Sequence, residues 1–371
     1  MAGVYLSYPF CAQKCTYCNF ASGVFPRDLE ARYLEALKAE LSPIHWPWIP
    51  ETVYLGGGTP SRMAPEVLTS ILDLIPGKPW PEGTMEAAPG GITPALVNAW
   101  CAAGINRVSL GVQSFDAREL ARTGRKHDAE TVAAEIATLR SAGLDNLNLD
   151  LIAGLPCQTF QSWTASLDWI ERLEVPHVSV YMLEVDEDSR LGAEVLRLSG
   201  LQPATGTSVP APRYSAADVP TEDAIADFYE LAVERLAAMG IYRYEISNFA
   251  RPGFESHHNL KYWRREPYLG FGADAHSFDG KTRWQNAETA REYVERFANG
   301  LSAIVERTPA DSAEAFFLGL RLDSGVNADW SPYSDAVERL ARQGLLQAQG
   351  CHLRLTPRGV LLSNEVFAEF I

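Results

Sequence analysis

Short apolar runs alternate with longer amphipathic stretches through the first half of the chain. Strand-like segments are predicted at Val4–Tyr8, Thr52–Leu55, Thr84–Ala87, Arg107–Gly111, Asn146–Ile152 and His177–Leu183. They are short and bounded by Gly or Pro, as buried parallel strands are. Between them a helical period runs over Leu29–Leu41, Pro65–Ile75, Pro94–Ala103, Ala129–Ser141 and Gln161–Leu173. Thr93 precedes Pro94 as a helix cap would, and Ser141-Ala-Gly143 closes the fourth helix. Six β-α units in a row imply an α/β fold with a curved or closed parallel sheet and right-handed crossovers.

In parallel barrels functional groups collect where strands end, and the unusual residues fall there. Cys11, Cys15 and Cys18 follow the first strand, and Gly56-Gly57-Gly58-Thr59-Pro60 follows the second. Glu86 ends the third, Gln113 follows the fourth, Asp150 lies on the fifth and Glu184 ends the sixth.

The alternation stops at 199–220, a stretch rich in Pro, Ser, Thr, Ala and Gly that reads as a long loop or insertion. Thr221 then opens an amphipathic helix to about Met239, and Tyr242–Ser247 reads as a strand. His257 to Trp263 is dense in polar aromatics, and Gly270 to Ser277 is a second Gly-rich turn. In the tail, Ala310–Leu322, Ser334–Gln343 and Pro357–Phe370 read as helices, with a hairpin from Leu345–Ala348 and His352–Leu355. Helix, hairpin and helix suggest a winged-helix-like module. It lacks a run of Lys and Arg, so packing or partner contact is expected of it before DNA binding.

Composition narrows the function classes. The chain has 371 residues, 46% hydrophobic and 21% charged, enough for a barrel-sized domain with a smaller one. A net charge of −15 disfavours a nucleic-acid partner while leaving room for a local basic pocket. No run reaches transmembrane length, no basic leader precedes the first strand, and six cysteines suit a reducing, cytoplasmic setting. Peripheral contact with a membrane surface and pairing as a homodimer are both compatible with this composition.

The cysteines carry the strongest chemical signal. Cys11, Cys15 and Cys18 stand at C-x3-C-x2-C spacing within eight residues. A structural zinc site would bring a fourth Cys or His at a second paired spacing, but Cys101, Cys157 and Cys351 are isolated. A disulfide with a leftover thiol would suit a secreted chain. Three thiolates fit a four-iron, four-sulfur cluster whose fourth iron is open. Gly56–Gly58 is either a tight turn or a ligand cradle; it lacks the Lys-Ser/Thr of a phosphate loop. Glu86 is either a solvated or capping glutamate or the holder of a cationic amino group. Arg125 and Asp150 are an ion pair, a polar core or ligand contacts. The His257-His258 pair could ligate a metal or heme iron, or be structural.

Taken with GGGTPS at Gly56–Ser61, GVQSF at Gly111–Phe115, NLDLIAGLP at Asn148–Pro156 and HNLKYW at His258–Trp263, the cysteine stretch resembles the radical S-adenosylmethionine (SAM) superfamily. More narrowly it resembles the coproporphyrinogen III dehydrogenase-like group that contains HemN and HemW. The resemblance implies a partial (β/α)6 radical-SAM barrel with a C-terminal α+β extension ending in the winged-helix-like module. It divides the chain into a barrel domain over 1–220, an extension over 221–308 carrying HNLKYW and a C-terminal domain over 309–371. It implies a [4Fe-4S] cluster on Cys11, Cys15 and Cys18, with SAM on the open iron. Tyr5, Gly57 and Glu86 match contacts to that SAM. Tyr17, Gly58, Thr59, Gln113, Arg125 and Asp150 match further SAM-contacting positions. Glu86-Ala-Ala-Pro-Gly90 departs from the family's EANPG at Ala88.

Within the group, decarboxylating members carry another cysteine where this chain has Phe20, and an N-terminal extension where it has ten residues before Cys11. HNLKYW matches the HNxxYW motif linked to heme binding. The expectation is therefore the heme chaperone branch, holding heme or a related tetrapyrrole and passing it to acceptor proteins. His258 is its first heme-contact candidate, with Tyr262 and Trp263 shaping the pocket. Oxidative decarboxylation of coproporphyrinogen III and a two-SAM methyltransferase are the alternatives. The resemblance names no catalytic residue.

Overall fold

The computed structural model describes residues 2–186, 189–198, 214 and 216–371. Six strand–helix units come first: β1 (Gly3–Tyr8), α1 (Arg27–Leu41), β2 (Thr52–Gly57), α2 (Pro65–Leu72), β3 (Glu82–Ala87), α3 (Pro94–Ala103), β4 (Arg107–Gln113), α4 (Ala117–Thr123), α5 (Ala129–Ser141), β5 (Asn146–Ala153), α6 (Phe160–Leu173) and β6 (His177–Met182). They continue into α7 (Arg190–Leu198), α8 (Glu222–Ala238), β7 (Tyr242–Arg243), β8 (Asn248–Ala250) and α9 (His257–Trp263). Next are β9 (Tyr268–Phe271), β10 (His276–Phe278), β11 (Thr282–Asn286), α10 (Ala290–Ala298) and β12 (Ile304–Pro309). The tail holds α11 (Glu314–Gly319), β13 (Val326–Asn327), α12 (Ser334–Arg342), β14 (Leu346–Gln349), β15 (His352–Leu355), α13 (Pro357–Leu361) and α14 (Ser363–Phe367).

β1 to β6 pair in sequence order, all parallel. β9 adds parallel to the free edge of β1 and β8 antiparallel to that of β6, so both ends of the half-barrel are paired. The strand period of two explains the layers. Val4, Leu6, Val53, Leu55, Met85, Val108, Leu110, Leu149, Val178 and Val180 join the hydrophobic core. Their alternates are polar and meet one another in the lumen: Tyr54 with Glu86, Asn148 with Ser109, His177 and Ser179.

Capping follows the sequence. Thr93 accepts from Leu96 N and Thr221 from Ala224 N, and Gly104 closes α3 at φ 103°. Elsewhere the structure differs. Tyr242–Ser247 is not one strand: β7 and β8 pair antiparallel across a turn in which Glu245 Oε1 binds Ser247 N and Asn248 Nδ2. The helix expected over Ala310–Leu322 shortens to α11, and that over Pro357–Phe370 breaks at Leu362. Of the 199–220 loop, residues 199–213 and 215 lie outside the described residues.

In the C-terminal module β13, β15 and β14 form a small antiparallel sheet. Phe316 stacks on Phe370, ring centroids 4.9 Å apart. The module is tied to the barrel extension by a two-pronged ion pair: Arg283 on β11 reaches both carboxylate oxygens of Glu314 on α11, at 2.8 and 2.7 Å. No helix among the described residues is long and apolar enough to cross a membrane.

Candidate functional site

The cysteines sit on a loop pinched shut at its base. Cys11 N donates to Gly23 O at 2.8 Å and Gly23 N to Pro9 O at 2.9 Å, directly beyond β1. Cys18 N donates to Cys15 O in a tight turn, and all three thiols are partly exposed. Burial pushes the Cys18 thiol up, and its sulfur lies 3.9 Å from Ser22 Oγ. Thr16 N donates to Thr123 O, docking the loop's middle on α4. The three sulfurs share the loop without forming a closed cage: among the described residues no group of three or more His, Cys, Asp or Glu is placed to hold a metal ion.

The glycine loop lies against this one. A Cβ on Gly58 would stand 2.7 Å from Phe10 O and 2.8 Å from Phe10 N, so the two loops touch backbone to backbone. Thr59 N donates to Phe10 O at 3.0 Å. Gly57 turns with φ 107°, a conformation that penalises any Cβ. A Cβ on Gly56 would press on Tyr5, Tyr54 and Glu86 at 3.0–3.1 Å, so glycine lets these three side chains close up against β2.

Glu86 is half-buried and held by both oxygens. Tyr54 Oη donates to Oε1 at 2.9 Å and Gly57 N to Oε2 at 3.1 Å. Burial pushes its carboxyl up to about 7; these two donors and the Arg107 guanidinium oppose that rise, and Asp150 adds to it. Arg107 is 1% exposed and its Nε and Nη1 have no partner. Its charge also counters the burial that raises Asp150, which accepts from Asn148 Nδ2 at 2.8 Å.

A second group gathers at the ends of β4 and β5. Arg125 Nη1 donates to Gly111 O at 2.7 Å and Nη2 to Tyr17 Oη at 3.1 Å, and the guanidinium lies beside Cys15. Arg125 thus joins the cysteine loop to β4 and forms no ion pair with Asp150. Gln113 turns with φ 72°, and its Nε2 would lie 3.0 Å from a Cβ on Gly111. Tyr5 lies beside Tyr54, ring centroids 6.2 Å apart.

HNLKYW stands at the opposite end of the barrel. Ser256 caps α9, and His257 N and His258 N both donate to Glu82, the first residue of β3. β2 runs roughly 17 Å from Thr52, beneath α9, to Gly57 at the mouth. His258 is 1% exposed. Its Nδ1 bonds Thr52 Oγ1 and its Nε2 bonds Tyr262 Oη, each at 2.8 Å, so neither nitrogen is free in this conformation. Burial pushes its imidazole down to about 3. Trp263 instead lines a cavity of about 490 Å³ with Arg264, Arg265, Phe278 and the C-terminal module's Gly319 and Val326. Arg321 stacks on the Trp263 ring at 4.3 Å, while the indole N–H is buried without a partner.

Tyr54, Arg107 and Thr52 escaped the sequence reading. Strand period was the signal that could have found them: they alternate with the core residues Val53, Leu55 and Val108.

Three soft thiols on a pinned loop, a glycine loop packed against it and a carboxylate held beside that loop fit an iron–sulfur cluster and SAM in donor chemistry. Residues 5–170 match the family model of the Radical SAM superfamily, and residues 311–362 that of the HemN C-terminal domain. The chain is 32% identical to the heme chaperone HemW of Bacillus subtilis, over 100% of this chain and 99% of that protein. Identity to the heme chaperone HemW of Mycobacterium tuberculosis is 35%, over 98% and 93% respectively. The solved structure of the radical SAM enzyme coproporphyrinogen III oxidase (HemN) from Escherichia coli shares the fold, with TM-score 0.82 and 21% identity over 100% of this chain and 89% of that one. The chain belongs to the HemW family of the radical SAM superfamily.

Proposed function

We propose that this protein is a heme chaperone, which binds heme and passes it to acceptor proteins. The observation that carries the reading is the end-to-end similarity to proteins of that function, which includes the C-terminal module. Cys11, Cys15 and Cys18 would hold a [4Fe-4S] cluster. Tyr5, Gly57 and Glu86 would hold SAM against it, and Tyr17, Gly58, Thr59, Gln113, Arg125 and Asp150 would line the rest of that pocket. When bound, the cluster supplies one-electron chemistry to SAM. The chain's own part is to hold the amino-acid end of SAM on the Glu86 carboxylate and to keep Arg125 between Tyr17 and the Gly111 carbonyl.

For heme, Trp263 offers an aromatic wall inside a cavity of ligand size, and Arg264 and Arg265 offer cations for propionates. The Tyr262 ring meets the Trp263 ring edge-on, centroids 6.4 Å apart. His258 reaches heme iron only if α9 opens and releases Thr52 and Tyr262; His257, beside it, is exposed. Phe20, 67% exposed, replaces the cysteine of the decarboxylating branch. Six free thiols suit the cytoplasm.

The deciding experiment is one anaerobic incubation of cluster-reconstituted protein with SAM, a reductant and coproporphyrinogen III, followed by mass spectrometry. Unchanged tetrapyrrole, with heme passing from the protein to an apo-acceptor in a parallel assay, is the expected result. Loss of two carboxyl groups as carbon dioxide would make the protein a decarboxylase.

A further inference from the structure

The ring of His258 lies on the ring of Tyr54, centroids 5.1 Å apart and planes 27° apart. Tyr5 lies beside Tyr54 at 6.2 Å, also at 27°. Tyr54 then donates from its hydroxyl to Glu86 Oε1 at 2.9 Å. His258 is itself immobilised on three sides, by Thr52 Oγ1, Tyr262 Oη and the Glu82 carboxylate on its backbone N–H. A chain of contacts therefore runs from α9, at one end of the barrel, to the carboxylate at the other.

We propose that His258 and Tyr54 are positioning residues for Glu86, so that the HNLKYW helix sets the geometry of the pocket for the SAM amino group. This rests on the reading that Glu86 receives that group. A glutamate has three side-chain torsions, and two anchors fix this one. Gly57 N is part of the loop that meets the ligand, whereas Tyr54 is the anchor that comes from the barrel's interior. Tyr54 turns on two torsions, and the neighbouring rings of His258 and Tyr5 restrict both. Remove the His258 ring and Tyr54 gains space exactly where its face is now supported, so the Oε1 anchor loosens. Around Tyr54 the lumen is polar, and the Tyr54 hydroxyl, both His258 nitrogens and both Glu86 oxygens have their partners. Such a network specifies one arrangement in a way that an apolar filling of the same volume does not.

Equilibrium dialysis of labelled SAM against cluster-reconstituted protein tests the inference without requiring turnover. Glu86→Gln and Tyr54→Phe should each raise the Kd for SAM about tenfold, the effect of losing or loosening one hydrogen bond to a charged group. Two variants of His258 separate positioning from packing. His258→Phe keeps a ring on Tyr54 but leaves Thr52 and Tyr262 without their partner, so it should lose stability and keep SAM affinity within about twofold. His258→Gln keeps a polar partner for both hydroxyls but removes the ring, so it should keep most stability and bind SAM about fivefold more weakly. Wild-type affinity in His258→Gln, with a weakened Glu86→Gln, would overturn the positioning role and leave Glu86 in place. Wild-type affinity in Glu86→Gln would overturn the reading of Glu86 and this inference together.

Discussion

Glu86 accepts the backbone N–H of Gly57 at 3.1 Å, so the end of the third strand reaches under the loop that ends the second. That contact places a carboxyl with a pKa of about 7 beside the SAM amino group proposed here. Its folded value lies above the ordinary one, so below pH 7 the free protein holds it protonated and it accepts fewer N–H groups. SAM affinity should therefore rise with pH and level off above about 7. At pH 6 the carboxyl is roughly nine-tenths protonated, and affinity should be about tenfold below its plateau. Dialysis between pH 6 and 8 reads this directly, and Glu86→Gln should flatten the profile; an equally steep profile in that variant would move the titrating group elsewhere.

Gly58 offers a sharper steric test. A Cβ there meets the backbone atoms Phe10 O, Phe10 N and Tyr8 O at 2.7–2.8 Å, and backbone cannot rotate aside. Gly58→Ala should push the glycine loop off the cysteine loop at a cost of about 1–3 kcal/mol. Iron retained after reconstitution should fall with it. Urea unfolding and iron analysis on one preparation check both; wild-type values for both would mean the loops part freely.

Cys11 anchors the base of the cysteine loop through its backbone, and that bond survives loss of the thiol. Cys11→Ala should therefore leave the fold intact by circular dichroism while removing most cluster iron and its visible absorbance. Unchanged iron content would take Cys11 out of the ligand set.

The half-barrel was legible because it depends on local signals. Val4 and Leu6, or Val53 and Leu55, announce buried strands, and Thr93 and Thr221 announce helix starts that the structure confirms. α4 was missed because Ala117–Thr123 carries no apolar stripe, although Asp116 and Gly124 cap its two ends. Tyr242–Ser247 looked like a strand because its alternation is right. Glu245, 0% exposed, instead folds back on Ser247 and Asn248, a turn set by tertiary burial. The cysteines, glycines and Glu86 were readable as motifs at strand ends. The place of His258 was not: its partners Thr52 and Tyr54 lie some two hundred residues away, and no spacing within HNLKYW shows which end of the barrel the helix closes.

The link between Arg283 and Glu314 should matter for ligand capture at the Trp263 cavity, since it fastens α11 beside it. Burial alone would raise the Glu314 carboxyl, yet the adjacent Arg283 and Arg265 guanidiniums hold it below the ordinary value. Glu314→Gln should cost about 1–2 kcal/mol, between an exposed and a buried pair, because Arg283 keeps partial access to water. Amides of α11 should exchange faster with deuterium, and heme affinity should fall while iron content holds. Heme affinity equal to wild type would place the tetrapyrrole away from this cavity.

His258 makes a prediction about acid. Its folded pKa of about 3 lies below the ordinary 6.5, so the unfolded chain binds a proton that the folded chain refuses. That favours unfolding increasingly as pH falls below 6.5, by about 1.4 kcal/mol per unit until the folded value is reached. Glu86 acts in the opposite sense between about 4.5 and 7, because its raised pKa makes the folded state the better proton acceptor there. Total stability therefore mixes the two, and the difference between wild type and His258→Gln isolates the histidine. Above pH 7 the two should differ by a constant. From pH 6.5 down to 4.5 the gap should shift in favour of His258→Gln by roughly 2–3 kcal/mol, read from urea midpoints at each pH. A gap that stays constant throughout would mean His258 takes up its proton without leaving its place between Thr52 and Tyr262.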